Sequence, residues 1–398
     1  MPIPQEFLVP EYYPAFTCKG GQCRHSCCCG YEVNITMTEY FRLLGLDCPP
    51  PVRDALDRAL LVRPGGREDA YATLFPNWEG DCRLHRADGY CALQGACGEK
   101  VLPAVCRYYP RSPRTDFVPE CACANACEGV LEQLFASGAP LRQIAVPLRF
   151  ALEGGRPAPD AAFAPAYRAV RTAVLDGIQN RALPLSARLL ALDGLLAALE
   201  APVARRDVPA VLAALGEAPR AAATGQPAGP AAPRALAAAA ALLQNFGSRY
   251  ATLAPYTEGL SARFGVAGPG SADAQNPALT ELAAGSRAAL AQYPALPLYM
   301  EQLFANHILY TGFPFLERGR PLRQSALVLA VACALLRVLT AANAADGRLH
   351  GQDALVDLFA FFFRAVEFTS FGRNVAVLLR GLDSGLWSAA DFAPLADF

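Results

Sequence analysis

The chain has 398 residues, 53% of them apolar, and a net charge of −1 at neutral pH. That length accommodates two domains, or one large domain with an appended module. The balanced charge excludes a global field that would draw nucleic acid or an anionic membrane, and neither is expected as a partner.

In chain order, the opening MPIPQEFLVPEYY has no basic n-region and no apolar h-region, so no secretory signal is expected there and a cytoplasmic location follows. The next stretch, CKGGQCRHSCCC at 18–29, places five thiols in twelve residues. Of fourteen cysteines, thirteen lie between Cys18 and Cys127; Cys333 alone lies beyond. In a reducing compartment, clustered thiols bind metal or react more often than they form disulfides. A short helix is expected over 52–61. Residues 81–93, DCRLHRADGYCAL, read as a β-hairpin around Asp88-Gly89, which would bring Cys82 and Cys91 together.

From about residue 130 the pattern turns helical. Phe163, Tyr167, Val170, Val174 and Ile178 keep helical spacing, as do Leu185, Leu189, Leu192, Leu195 and Leu199. Further helices are expected near 276–293, 297–311, 323–343, 352–366 and 369–381. The Ala/Pro/Gly-rich stretch 201–240 reads as a flexible surface loop. The run ALVLAVACALL at 326–336, ended by Arg337, is short of the roughly 20 residues that span a bilayer, and reads as a buried helix. The fold class is therefore mainly α: an irregular Cys-rich metal-binding region over 1–130 with a small β-hairpin, then a helical domain over 131–398.

Thiolates select zinc, copper(I) or iron–sulfur centres. The chain has no C-x2-C knuckle pair, which argues against a double-knuckle zinc ribbon. The gaps Cys18-x4-Cys23-x3-Cys27 suit an iron–sulfur cluster, which accepts ligands from scattered segments, with zinc as the alternative. The radical-adenosylmethionine signature C-x3-C-x2-C fails, because Gly30 and Val130 stand where its third cysteine would be. Neighbouring side chains in an extended segment point opposite ways, so Cys27 and Cys28 reach one metal only where the backbone bends. Cys29, Cys48, Cys97 and Cys333 read as small buried hydrophobes. His25 is a lesser ligand candidate, His85 reads as exposed, and His307 and His350 as structural. Gly268-Pro269-Gly270 lacks a strand–helix frame and reads as a loop, so a Rossmann-type cofactor site is not expected.

Several stretches carry a family resemblance. EYYPAFTCKGGQCRHSCCCGYEVNIT has a C-x4-C-x3-CC-x-G-[WY] pattern, and GDCRLHRADGYCALQGACGEKVLPAVCRYYPR a G-D-C…D-G-x-C…L-P-x-x-C-R-x-Y-P-R run. With ACEGVLEQLF, LYMEQLFANHILYTGFPF and LVDLFAFFFRAVEFTSF, they resemble the flagellin lysine-N-methylase family over most of the chain. The resemblance implies methylation of flagellin surface lysines with S-adenosylmethionine, and a 4Fe-4S cluster. The cysteines of family type are Cys18, Cys23, Cys27, Cys28, Cys82, Cys91, Cys106 and Cys127. One departure concerns the C-terminal half: the family tends to carry His after R-x-x-E, whereas Arg364-Ala-Val-Glu367 is followed by Phe368.

Methyl transfer to lysine needs the amine neutral, although its usual pKa is about 10.4, so the site must desolvate it or accept its proton. Tyr108, Tyr109 and Glu120 are candidates for that role, with Asp81 and Glu128 also near the cysteines in sequence. Arg107 and Arg111 are candidates for a carboxylate clamp on cofactor or substrate. Two other readings compete: an iron–sulfur redox protein, and a metal-chelating module without catalysis.

Overall fold

The computed structural model describes residues 4–30, 33–151, 159–217, 232–265, 276–315, 320–382 and 386–398. The chain divides into two compact units. One comprises Met1–Cys123, Cys127–Gly129 and Ile144–Pro159; the other comprises Ala124–Ala126, Val130–Gln143 and Asp160–Phe398.

The first unit holds the strands: β1 (Gln5–Pro10), β2 (Val33–Ile35), β3 (Leu60–Arg67), β4 (Ala70–Leu74), β5 (Arg111–Arg114), β6 (Glu120–Cys123) and β7 (Gln143–Leu148). One sheet runs β5-β6-β1-β7, with β1 parallel to β6 and β5 antiparallel to it. The other runs β2-β4-β3, both pairs antiparallel. Its inner face joins helices Met37–Leu44 and Pro50–Ala59 around Leu43, Leu56, Ala72, Leu74, Leu84, Leu93 and Leu102. Cys48, Cys82, Cys91 and Cys97 pack at the margin of this core.

The paired hairpin is β3–β4, not 81–93. In β3 the sequence Pro64-Gly65-Gly66 looks like a chain break, but it forms a bulge where the register slips between Val62 and Arg67. A side chain on Gly66 would come within 2.7 Å of the Tyr71 carbonyl. Because Leu60 starts β3, the preceding helix ends at Ala59 instead of 61. At 81–93 the Asp88-Gly89 turn forms as expected, yet only His85 and Cys91 pair. Cys91 at once becomes the N-cap of helix Ala92–Cys97, so the second strand has no room to form.

The second unit is helical, with Ala164–Ile178, Leu185–Ala204, Pro277–Gln292, Leu296–Thr311, Leu322–Ala345, Gly351–Glu367 and Phe371–Leu382 where periodicity placed helices. Helix Leu322–Ala345 forms the centre and packs on Pro277–Gln292, Leu185–Ala204 and Ala232–Arg249. Gly285 permits one close crossing: a Cβ there would lie 2.5 Å from the Ala341 carbonyl oxygen. This central helix extends well past 326–336, and at 24 residues it is long and apolar enough to cross a membrane. Its apolar window is 83% buried inside the protein, as a core helix. Burial also pushes the Arg337 guanidinium down to about 10, against the pull of Asp397.

The stretch 201–240 is not one loop. Val208–Glu217 is helical, and another helix begins at Ala232. Pro209 and Pro233 fall in first turns, where no backbone N–H is required, so the Ala-rich composition favours helix. Residues 218–231, and the Gly268-Pro269-Gly270 stretch, lie outside the described residues.

Candidate metal centre

Backbone pairing brings scattered cysteines together. The Cys82 N–H donates to the Cys28 carbonyl at 2.8 Å, the Gly30 N–H donates to the Gly80 carbonyl at 2.9 Å, and Cys29 bridges Asp81. Residues 28–30 thus lie beside 80–82, and the 85–91 turn returns Cys91 to the same place. Cys106 rides on the short helix Ala104–Tyr108. Its entry is fixed by Glu39, whose buried carboxylate accepts from the Ala104 N–H at 2.6 Å. Glu39 is itself held by a reciprocal capping box with Thr36.

The thiols report this convergence. Burial pushes Cys106 well above the ordinary thiol range, and Cys28, Cys82 and Cys91 push it further. Burial raises Cys82 to about 11, with Cys28 and Cys91 adding to it. Burial also raises Cys91, again reinforced by Cys28. Cys82, Cys91 and Cys106 therefore all lie within electrostatic reach of Cys28. By surface area Cys106 is exposed, though protein atoms crowd its sulfur.

A second set adjoins the first through the Cys27–Cys28 pair. The Cys27 thiol, hydrogen-bonded to Cys28, is held up as a thiol by that bond, by burial, and by Cys127 and Cys18 beyond. The same bond draws Cys28 down, assisted by the Ser26 hydroxyl and opposed by burial. Glu128 anchors this set: its carboxylate accepts from Lys19 Nζ at 2.8 Å, the Arg24 N–H at 3.2 Å and the His25 N–H at 3.3 Å. Burial opposes ionisation of Glu128, but these bonds together hold its carboxyl below the usual range. The loop bearing Cys18, Cys23 and Cys27 also rests on the 85–91 turn. There Gly89, at φ +81°, leaves 2.7 Å between where its Cβ would be and the Gly21 Cα.

A donor set of thiols from separated segments fits a soft inorganic centre and no hard cation. Among the described residues no three of these thiols lie within 4.8 Å of one another. A tetrahedral zinc site has sulfurs about 3.8 Å apart.

The remaining sequence candidates are engaged in the fold. Tyr108 Oη accepts from the Ala151 N–H at 2.6 Å, with the Ala151 carbonyl at 3.1 Å. Tyr109 precedes a cis peptide bond to Pro110. Glu120 is buried in β6 and paired with Arg114 at 3.0 Å. Arg107 donates to the Lys100 and Leu102 carbonyls, and Arg111 lies over the rings of Tyr13 and Phe16. His85, expected to be exposed, is half-buried, and its Nδ1 lies 3.9 Å from Cys29 Sγ. Cys333 is fully buried in the central helix, as its apolar setting suggested.

In the helical unit, Glu367 of the R-x-x-E stretch is buried beside His307, with Oε1 3.1 Å from Nδ1. It also accepts from the Ala126 N–H at 3.3 Å. Asn125 donates to the Leu303 carbonyl and accepts from Asn306. Burial raises the Glu367 carboxyl pKa, and His307 and the 125–126 backbone partly offset this. Phe368, where the family tends to have His, follows as the C-cap of the helix. The imidazole beside Glu367 is that of the half-buried His307. Sequence reading left His307 unconnected, because nothing in the spacing links residues 60 apart.

Comparison with known proteins agrees with the helical half. A family model described as the FliB lysine N-methylase C-terminal domain matches residues 171–376, just over half of the chain. Proteins named lysine-N-methylase from Salmonella typhimurium (strain LT2) and Salmonella choleraesuis (strain SC-B67) are each 26% identical to it over 106 residues. That alignment covers 27% of this chain and 26% of each relative, so the chain matches about a quarter of their length. No solved structure matches. By its C-terminal domain, the chain belongs to the FliB lysine N-methylase family.

Proposed function

We propose that the protein is a cytoplasmic lysine N-methyltransferase acting on flagellin, using S-adenosylmethionine and a 4Fe-4S cluster held by its N-terminal cysteines. The match of residues 171–376 to the lysine N-methylase domain carries this reading. The grouping of Cys28, Cys82, Cys91 and Cys106 supports a cluster, and these residues would hold it. Cys18, Cys23, Cys27 and Cys127 would complete the ligand pool or serve a neighbouring centre. When bound, the cluster supplies a soft Lewis-acidic grip in a site without a Rossmann frame. The chain's own part is to present the lysine amine unprotonated and away from water, since an ammonium cannot attack a methyl carbon. Tyr108 is the proton acceptor this reading favours over Tyr109 and Glu120. Its hydroxyl is at a partly exposed position, whereas Glu120 already neutralises Arg114. Arg107 and Arg111 would clamp a carboxylate only by giving up part of their present contacts.

The test is anaerobically purified full-length protein incubated with S-adenosylmethionine and flagellin. The expected result is a mass increase of whole methyl groups on flagellin lysines, lost in Cys106→Ser and retained in Cys333→Ser. Unmodified flagellin in the presence of protein with full iron and sulfide content would refute the reading and favour a redox or chelating role.

A further inference from the structure

We propose that Cys29, Asp81 and His85 form a second, mononuclear site for a borderline-soft divalent cation of the zinc type, separate in its ligands from the eight family-type cysteines. Cys29 and His85 both fall outside the pattern by which the chain resembles its family. Nevertheless, a sulfur, a carboxylate oxygen and an imidazole nitrogen from these residues all lie within 4.8 Å of one another. Among the described residues no other set of three or more such side chains meets that condition.

The sulfur–nitrogen pair stands close to the separation a bound ion would impose. Metal–ligand lengths of about 2.3 Å to sulfur and about 2.0 Å to nitrogen give a sulfur–nitrogen separation near 3.6 Å at a tetrahedral centre. Cys29 Sγ and His85 Nδ1 stand 3.9 Å apart, so a side-chain adjustment of a few tenths of an ångström suffices. The backbone already fixes each donor. Cys29 and Asp81 face one another across a bridge, and Asn77 Oδ1 accepts from the Asp81 N–H at 2.8 Å and from the Glu79 N–H at 3.0 Å. His85 is pinned by its N–H to the Cys82 carbonyl and by pairing with Cys91.

The histidine supplies an independent argument. Its Nε2 is buried without a hydrogen-bond partner among the described residues, and its Nδ1 has only a long contact to sulfur. A half-buried imidazole so poorly satisfied is costly unless the ring has another task. Coordination is such a task for Nδ1, where a metal replaces the long sulfur contact with a strong bond and leaves the ring proton on Nε2. One thiolate and one carboxylate neutralise a dication, the Cys29 proton passing to solvent on binding. Three protein ligands leave a fourth position for water or a small ligand, the pattern of an open zinc site.

The test uses full-length protein with its native iron content, titrated with Co(II) as a spectroscopic probe and then with Zn(II). The expected result is one added equivalent of cobalt with a thiolate-to-cobalt charge-transfer band, displaced by zinc. Cys29→Ser should abolish that band. Asp81→Asn and His85→Gln should weaken cobalt binding at least about tenfold, all three with iron and sulfide content unchanged. The inference is overturned if wild-type protein takes up no cobalt, or if Cys29→Ser keeps the band. It is equally overturned if iron falls together with cobalt in all three variants, which would make these residues part of the cluster site. The readout is metal stoichiometry, so an absence of methyl transfer leaves it standing.

Discussion

Replacing Glu128 by Ala removes the anchor of the loop that carries Cys18, Cys23 and Cys27. The carboxylate is 4% exposed and Lys19 27% exposed, so this ion pair is screened on one side only. A charge-assisted bond of that kind contributes about 1.5 kcal/mol, the low end for partly buried partners. The two backbone N–H donors, on exposed Arg24 and His25, recover water when the acceptor is lost. Together they add about 1 kcal/mol. The total of about 2–3 kcal/mol corresponds to a 30- to 150-fold shift toward the detached loop, at a factor of ten per about 1.4 kcal/mol. Amide hydrogen exchange reads this directly: protection at Arg24 and His25 should fall by that factor, while the β3–β4 amides stay protected. A parallel chelator challenge should strip metal faster from the variant. Unchanged protection at both amides would show that the Gly21–Gly89 contact alone holds the loop and that the assigned role of Glu128 is wrong.

Three further outcomes are expected. Glu39→Ala removes a capping box and the acceptor for the Ala104 N–H at once. It should cost about 2–3 kcal/mol in urea unfolding and lower metal retention, because helix Ala104–Tyr108 places Cys106. Gly89→Ala forces a side chain into the left-handed region, about 1–2 kcal/mol, and into a 2.7 Å contact with Gly21; a urea midpoint equal to wild type would remove this turn from the support of the cysteine loop. Glu367, whose folded pKa is raised above 4.5 chiefly by burial, binds its proton more tightly folded than unfolded. Its contribution therefore declines as pH rises from about 4.5 through the folded value, and the difference in urea midpoint between wild type and Glu367→Gln should shrink or reverse across that window.

The sequence announced the thiols because thirteen of fourteen cysteines crowd between Cys18 and Cys127, and it announced most helices because their apolar residues recur every three or four positions. Strands β3 and β4 were hidden by Pro64-Gly65-Gly66, which signals a turn locally and becomes a bulge only when β4 pairs alongside. The Ala/Pro stretch misled for the opposite reason: Pro209 and Pro233 start helices, and composition alone does not show on which side of a proline the helix lies. The grouping of the eight family-type cysteines was not legible either. Cys27 and Cys28 share a hydrogen bond, with Cys127 and Cys18 acting further on Cys27 and with Cys82, Cys91 and Cys106 within reach of Cys28. The strand-like pairing of residues 28–30 with 80–82 is what brings Cys28 to Cys82.

Two acidic residues that no motif singles out as anchors explain how such a site is held without regular structure. Cysteines on loops have no intrinsic reason to converge, and four uncompensated thiolates would repel one another. Glu39 and Glu128 act on the backbone instead, each accepting N–H groups of a segment that bears a candidate cysteine. Glu39 does this at a cost, because its charge adds to the upward push on the Cys106 thiol. By this reasoning, restoring an acceptor without charge should recover most of the placement. Glu128→Gln is expected to retain metal better than Glu128→Ala, and equal metal loss in both variants would mean that the charge paired with Lys19, rather than the backbone bonds, sets the loop.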